Sequence, residues 1–209
     1  GGGAAAMMRD GLFERFPMDA VYGLHNWPGM PTGSVAASAG PVMASSNEFK
    51  ITLRGKGCHA AMPHLGHDPV VAAAALIQGF QTIVSRNLKP IDDSVISVTI
   101  LRAGEATNVV PNTCTLEGTV RTFTLEVLDL IEARMKAMSD AISAAYGCSA
   151  EFQFERNYPP TINHAAQTQV VREVASRVLG PGQLQEQEPT MGAEDFAYML
   201  QAKPGCYFF

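Results

Sequence analysis

Glu48-Phe49-Lys50-Ile51-Thr52-Leu53-Arg54 alternates polar and apolar residues without a break, the period of a strand with one buried face. Gly55-Lys56-Gly57 ends it. After a loop, Asp68-Pro69 supplies an N-cap and a first-turn proline, and Val70, Ala73, Ile77, Phe80 and Val84 recur at helical spacing to about Arg86. Val95 to Leu101 and Cys114 to Thr122, rich in Val, Ile, Thr and Leu, read as two strands joined by a long hairpin loop. Thr124 then caps a second helix with Val127, Ile131, Met135, Met138, Ile142 and Ala145 as its stripe and Gly147 at C′. A last alternating strand, Ala150 to Arg156, puts Phe152 and Phe154 on one face.

The order strand, helix, strand, strand, helix, strand is the split β-α-β pattern: a ferredoxin-like antiparallel sheet of four strands with two helices on one face. We therefore expect residues 45–156 to fold as one domain. Breaks at Gly40-Pro41 and Tyr158-Pro159-Pro160 mark where the chain leaves it. The flanks, 1–44 and 157–209, read as two pieces of an α/β domain into which the middle is inserted. They carry a short helix near Ala4 to Asp10, strands near Ala20 to Leu24 and Ser34 to Ser38, a helix over Ala165 to Leu179, a helical turn after Ala193 and a terminal strand.

The 209 residues are 46% hydrophobic and 17% charged, with a net charge of −5, so the chain is long and apolar enough to bury a core without disulfides. Mild acidity with no Lys or Arg run removes the footprint of nucleic-acid or anionic-membrane binding. The longest apolar run, Val70 to Ile77, is far short of the ~20 residues that span a bilayer. Four widely spaced cysteines without a C-x-x-C pair point to a reducing cytoplasm. The ends, Gly1-Gly2-Gly3-Ala4-Ala5-Ala6 and the apolar Cys206-Tyr207-Phe208-Phe209, suggest a piece of a longer protein.

Five histidines are the first candidates for chemistry. Cys58, His59, His64 and His67 lie close together and offer a local zinc set, although their spacing matches no closed structural zinc pattern. His25, immediately after an apolar strand, stands where ligands gather in α/β sheets; a satisfied loop histidine is the plainer alternative. Arg121 is either an exposed rung of its strand or a carboxylate clamp, and Asn108 reads as a turn residue. Met191-Gly192-Ala193-Glu194-Asp195-Phe196 reads as a helix start with acids in its first turn.

Taken together, Gly23-Leu24-His25-Asn26-Trp27-Pro28, Gly55-Lys56-Gly57-Cys58-His59-Ala60-Ala61-Met62-Pro63-His64, Thr107-Asn108-Val109-Val110-Pro111, Gly118-Thr119-Val120-Arg121-Thr122 and Met191-Gly192-Ala193-Glu194-Asp195-Phe196 resemble the M20 metallopeptidases. The match is to their amidohydrolase branch of hippurate, N-acyl-amino-acid and indole-acetyl-amino-acid hydrolases. The resemblance implies metal-dependent amide hydrolysis of N-acyl amino acids, with a lid and dimerisation domain inserted into the catalytic domain and two Zn²⁺ or Mn²⁺ ions per site. His25 matches a metal ligand and His59 a lid histidine that bonds the oxyanion in the partner subunit's site of a homodimer. Asn108 and Arg121 match substrate-holding lid residues, and Gly192, Ala193 and Glu194 line the pocket.

Members also carry an upstream Cys-Gly-His-Asp-like segment, a Glu-Glu pair that includes the general base, and a final ligand histidine. On that mapping only His25 of the metal ligands is present and the base is absent, which implies a truncated, inactive chain. The alternative is a non-catalytic module that dimerises or binds amino acids.

Overall fold

The computed structural model describes residues 2–180 and 182–209; Gly1, where the first predicted catalytic piece begins, and Pro181 lie outside the described residues. Its elements in chain order are α1 (Gly3–Arg9), α2 (Leu12–Arg15), β1 (Val21–Leu24), β2 (Val35–Ala36), β3 (Gly40–Met43), β4 (Ser46–Arg54), β5 (Cys58–His59), α3 (Pro69–Thr82) and β6 (Ser94–Ala103). There follow β7 (Val109–Val110), β8 (Thr113–Thr122), α4 (Leu125–Ala145), β9 (Ser149–Tyr158), β10 (Thr161–Asn163), α5 (Ala165–Leu179), β11 (Leu184–Gln185), α6 (Ala197–Ala202) and β12 (Gly205–Phe208). The fold is mixed α/β. It divides into two compact units, Asn47–Arg156 and the remainder on either side of it in sequence.

In the 47–156 unit, β4, β6, β8 and β9 form one sheet in the order β6-β8-β4-β9. The pairs β4·β8 and β6·β8 are antiparallel. Alternation along β4 buries Asn47, Phe49, Ile51 and Leu53, and these pack with Leu116 and Val120 of β8 beneath Leu76 and Phe80 of α3 and Ile131 and Met135 of α4. Asp68 caps α3, its Oδ1 accepting the amides of Val70 at 2.8 Å and Val71 at 3.4 Å. Thr124 caps α4 by accepting the Val127 amide at 3.3 Å, and Gly147, at φ +71°, takes the left-handed conformation that ends it. Ser139 and Ser143, buried in the same helix, bond back to the carbonyls of Met135 and Ser139.

Four of the five stripe residues expected for α3 face the core, Ala73 and Phe80 buried and Ile77 and Val84 packed against it, together with Ala72 and Leu76. Val70 is the exception and is exposed; Pro69–Thr82 contains no charged residue to mark where the apolar face ends. Its C-terminal end continues as a π-helical turn over Ile83–Asn87.

In the other unit, β1 pairs in parallel with β12, β2 in parallel with β11, and β3 antiparallel with β10. Val21, Val42, Met43, Leu200, Tyr207 and Phe209 form its core. Asn163, only 4% exposed, fastens β12 on the side away from β1, next to the backbone pair of Ala36 and Phe209. Its Oδ1 accepts the Tyr207 amide at 2.7 Å, and its Nδ2 donates to the Tyr207 and Ser38 carbonyls at 2.7 and 2.9 Å. Beside it, His164 Nδ1 accepts the Gly205 amide at 3.1 Å.

Candidate functional site

His25 follows β1 directly, and its amide donates to the Phe208 carbonyl at 3.1 Å, so the parallel pair β1·β12 places it at the carboxyl end of both strands. The exposed imidazole lies with Nδ1 2.6 Å from the Asn26 carbonyl oxygen. A carbonyl only accepts, so Nδ1 is the donor and, in the neutral ring, Nε2 keeps its lone pair. That is the tautomer of a ligating histidine, whose far nitrogen is held by a carbonyl. An aromatic row runs inward from it: Trp27 edge-on at 5.8 Å, Phe209 at 4.8 Å from Trp27, and Tyr207 at 6.0 Å from Phe209.

Tyr207 then reaches the 192–194 loop, its hydroxyl donating to Glu194 Oε2 at 2.7 Å. Burial, the bond to Glu194 and the charges of Glu194 and Asp195 together push the phenol well above the usual range. Gly23 of β1 admits the ring: a Cβ there would sit 2.7 Å from Tyr207 Cδ2. The helix expected from the Met191–Phe196 stretch begins only at Ala197. Asp195 instead accepts the Ala4 amide at 2.8 Å and caps the other helix, α1. Gly192 donates its amide to Thr190 Oγ1 at 3.2 Å, which fixes the loop from its N-terminal side.

In the 47–156 unit, β5 pairs antiparallel with β7, His59 opposite Val109. The Ala60 amide donates to the Asn108 carbonyl at 2.9 Å, so His59 and Asn108 stand together, both exposed. The Ala61 amide donates to His59 Nδ1 at 3.1 Å. An N–H gives its proton only to a lone pair, so Nδ1 is bare and Nε2 carries the hydrogen, turned outward as a donor. His25 and His59 are thus opposite tautomers, one an available ligand and the other an available donor.

Arg121 lies apart from this pair. Thr113 adjoins the His59 end of the sheet and Arg121 is eight residues along β8, about 27 Å at ~3.4 Å per residue. Its Nε donates to Thr119 Oγ1 at 3.2 Å.

The local zinc set does not assemble. Among the described residues no three His, Cys, Asp or Glu side chains gather closely enough to hold a metal ion. His67 lies against Gly147, His64 is exposed on a 3-10 turn, and Cys58, Cys114, Cys148 and Cys206 are free thiols. His25 presents its Nε2 as a ligand atom. Tyr207, Thr119 and Asn163 escaped sequence reading; Thr119 alone left a trace there, at the i−2 position on the same strand face as Arg121.

The family model for Peptidase family M20/M25/M40 matches residues 1–209. The chain belongs to this family. Among M20 relatives it is 40% identical over its full length to the N-acetyl-L-cysteine deacetylase of Bacillus subtilis strain 168, of which it covers 49%. It is 35% identical to the N-acetyldiaminopimelate deacetylase of Bacillus cytotoxicus, covering 55%. The M20 chain thus spans about half the length of the curated relatives it matches. Among solved structures, it superposes with a TM-score of 0.90 on a protein of methicillin-resistant Staphylococcus aureus at 29% identity, 99% of this chain against 53% of that one. A dinuclear metal binding peptidase of the M20 family from Bacillus subtilis gives 0.81 at 31% identity, 98% against 51%. No described helix is long and apolar enough to cross a membrane.

Proposed function

We propose that this sequence belongs to an enzyme that hydrolyses the amide bond of N-acyl amino acids of the hippurate type, using two divalent ions, Zn²⁺ or Mn²⁺. The observation that carries this reading is the pair of fixed tautomers: a bare Nε2 on His25 at the carboxyl end of β1·β12 and an outward Nε2–H on His59. Amide hydrolysis requires a donor where negative charge develops on the carbonyl oxygen, which is the part for His59. Asn108 beside it contacts the substrate amide, Arg121 grips the amino-acid carboxylate, and Gly192, Ala193 and Glu194 line the pocket.

In this reading the 47–156 unit is a ferredoxin-like lid inserted into the catalytic domain, and its strand order β6-β8-β4-β9 supports that. The lid makes the homodimer. Its edge strand β6 carries no charge from Ser94 to Leu101, and α3 carries none along its length; an uncharged, unpaired edge is a pairing surface. The other edge, β9, bears Glu151, Glu155 and Arg156. Arg121 stands about 27 Å along β8 from Thr113, which adjoins the His59 end of the sheet, so His59 and Asn108 of one subunit complete a site with Arg121 of the other.

In a protein that carries this sequence at the relatives' full length, with Zn²⁺ or Mn²⁺ supplied, His59→Ala lowers kcat on hippurate by ~10² or more. His25→Ala abolishes metal retention. Unchanged kinetics in both variants overturn the assignment. The 209-residue chain alone gives no turnover above the metal blank, because its described residues hold no metal cluster; brisk hydrolysis by it refutes that part. The alternative reading is a dimerising module that binds N-acyl amino acids without cleaving them. Hippurate binding without turnover in the full-length protein selects it.

A further inference from the structure

Arg121 is mounted as well as placed. Thr119 and Arg121 sit two residues apart on β8, so their side chains rise from the same face. The Thr119 hydroxyl donates to the Asn47 carbonyl of β4 at 2.9 Å, which commits its only proton. Its lone pair is thereby turned to the Arg121 Nε–H, which donates to it at 3.2 Å. The mount is stiff. β8 is paired on both sides, and Gly118 is so tightly enclosed that a Cβ would lie 2.0 Å from the Ser97 carbonyl oxygen and 2.6 Å from the Phe49 ring.

The surroundings give the mount a purpose. Arg121 opens on a concavity of about 640 Å³ on the sheet face, and Glu48, Glu117 and Glu155 line the same hollow. Glu117 is paired with Lys50 at 3.5 Å, while Arg121 forms no ion pair among the described residues. A guanidinium on three flexible methylenes beside three carboxylates would ordinarily swing onto one of them. With Nε held by Thr119, its two Nη groups stay side by side and open, the geometry of a bidentate carboxylate grip.

We propose that Thr119 is a positioning residue: through the relay from Asn47 O to Thr119 Oγ1 to Arg121 Nε it holds the guanidinium open for a substrate carboxylate and away from the acids lining the same hollow. The inference rests on the reading of Arg121 as the carboxylate grip.

The test uses the 209-residue chain with two readouts. In the first, proton-nitrogen spectra follow the Arg121 Nε–H. The wild type and Thr119→Ser show a signal protected from exchange with water, and Thr119→Val loses it. In the second, hippurate and its neutral amide, hippuramide, are titrated against each variant. Thr119→Val weakens hippurate roughly three- to tenfold, the range of one hydrogen bond, leaves hippuramide unchanged, and is restored within about twofold by Thr119→Ser. A protected Nε–H in Thr119→Val, or hippurate binding equal to wild type in that variant, overturns the inference. Equal affinity of the wild type for hippurate and hippuramide, or no hippurate binding at all, overturns instead the carboxylate reading of Arg121, and the Nε–H signal still decides whether Thr119 holds the side chain.

Discussion

Replacing Asn163 by Ala should unfasten β12. Three hydrogen bonds of 2.7, 2.7 and 2.9 Å converge on this nearly inaccessible amide, and they serve the Tyr207 N–H and C=O and the Ser38 C=O. Alanine leaves all three backbone groups without that partner. Each made bond is worth about 1 kcal/mol net, and each buried group left unpaired costs about 1–3 kcal/mol. Because the three losses share one cavity that a water molecule can partly fill, we expect about 3–5 kcal/mol in total. That is a large share of the 5–15 kcal/mol typical of a whole domain. The assay is built into the molecule: Trp27 is the only tryptophan and packs on Phe209, one residue beyond β12. Urea titration followed by its fluorescence should show the midpoint falling by about 2 M for a slope of ~2 kcal/mol/M. Asn163→Asp, which keeps the acceptor but loses both donations, should do no better at neutral pH. A shift below about 1 kcal/mol for Asn163→Ala would refute the claim that this side chain fastens β12.

Alkaline titration at 295 nm should find that one of the five tyrosines fails to ionise in the usual range near ~10, and Tyr207→Phe should remove that late signal. The sign for stability follows from the raised phenol. Above ~10 the unfolded chain releases this proton and the folded one retains it, so Tyr207 favours folding fully below that pH and less as pH rises through it. Asp68→Ala removes the α3 cap and should lower stability by about 1 kcal/mol in thermal unfolding. Gly118→Ala forces a methyl into the Ser97 carbonyl and the Phe49 ring; loss of a cooperative transition, or at least several kcal/mol of stability, is expected, and a near-neutral effect would contradict the packing described. Leu101→Lys on the β6 edge should turn a sedimenting dimer into a monomer, and an unchanged sedimentation coefficient would remove that edge from the interface.

What could be read beforehand was whatever local chemistry alone decides. The alternation of Glu48 to Arg54, the caps Asp68 and Thr124, and Gly147 each act within one turn or strand, and each appears as expected. The α5 boundaries, Ala165–Leu179, also agree. The inward face of α3 was legible through Ala73, Ile77, Phe80 and Val84, but its edge at Val70 was not, since an uncharged helix has no polar side to mark where the stripe ends. The short strands β3, β5, β7 and β10 were missed because their partners lie far along the chain, as with Gly40 opposite Asn163. At the site, residue types were legible and proton positions were not: the Asn26 carbonyl and the Ala61 amide set the histidine tautomers, and no pattern of side chains announces either. Asp195 reads in the sequence as part of a local helix start because its partner, the Ala4 amide, is near the opposite end of the sequence.

The pairing of β1 with β12 has a consequence in time. Val21 opposes Gly205, 184 positions away, so this contact closes one of the longest loops available to the chain. The 110 residues of the 47–156 unit lie inside that loop and contain the local hairpins and helices that form fastest. Once that unit has folded, β4 and β9 run side by side and the loop still to be closed shrinks to about 74 flexible residues, easing closure by ~0.8 kcal/mol. Burial of the β4 core amides should therefore precede quenching or shift of Trp27 emission during refolding. The hollow that holds Arg121 is then in place while the strand that seats His25 is still searching for its mate.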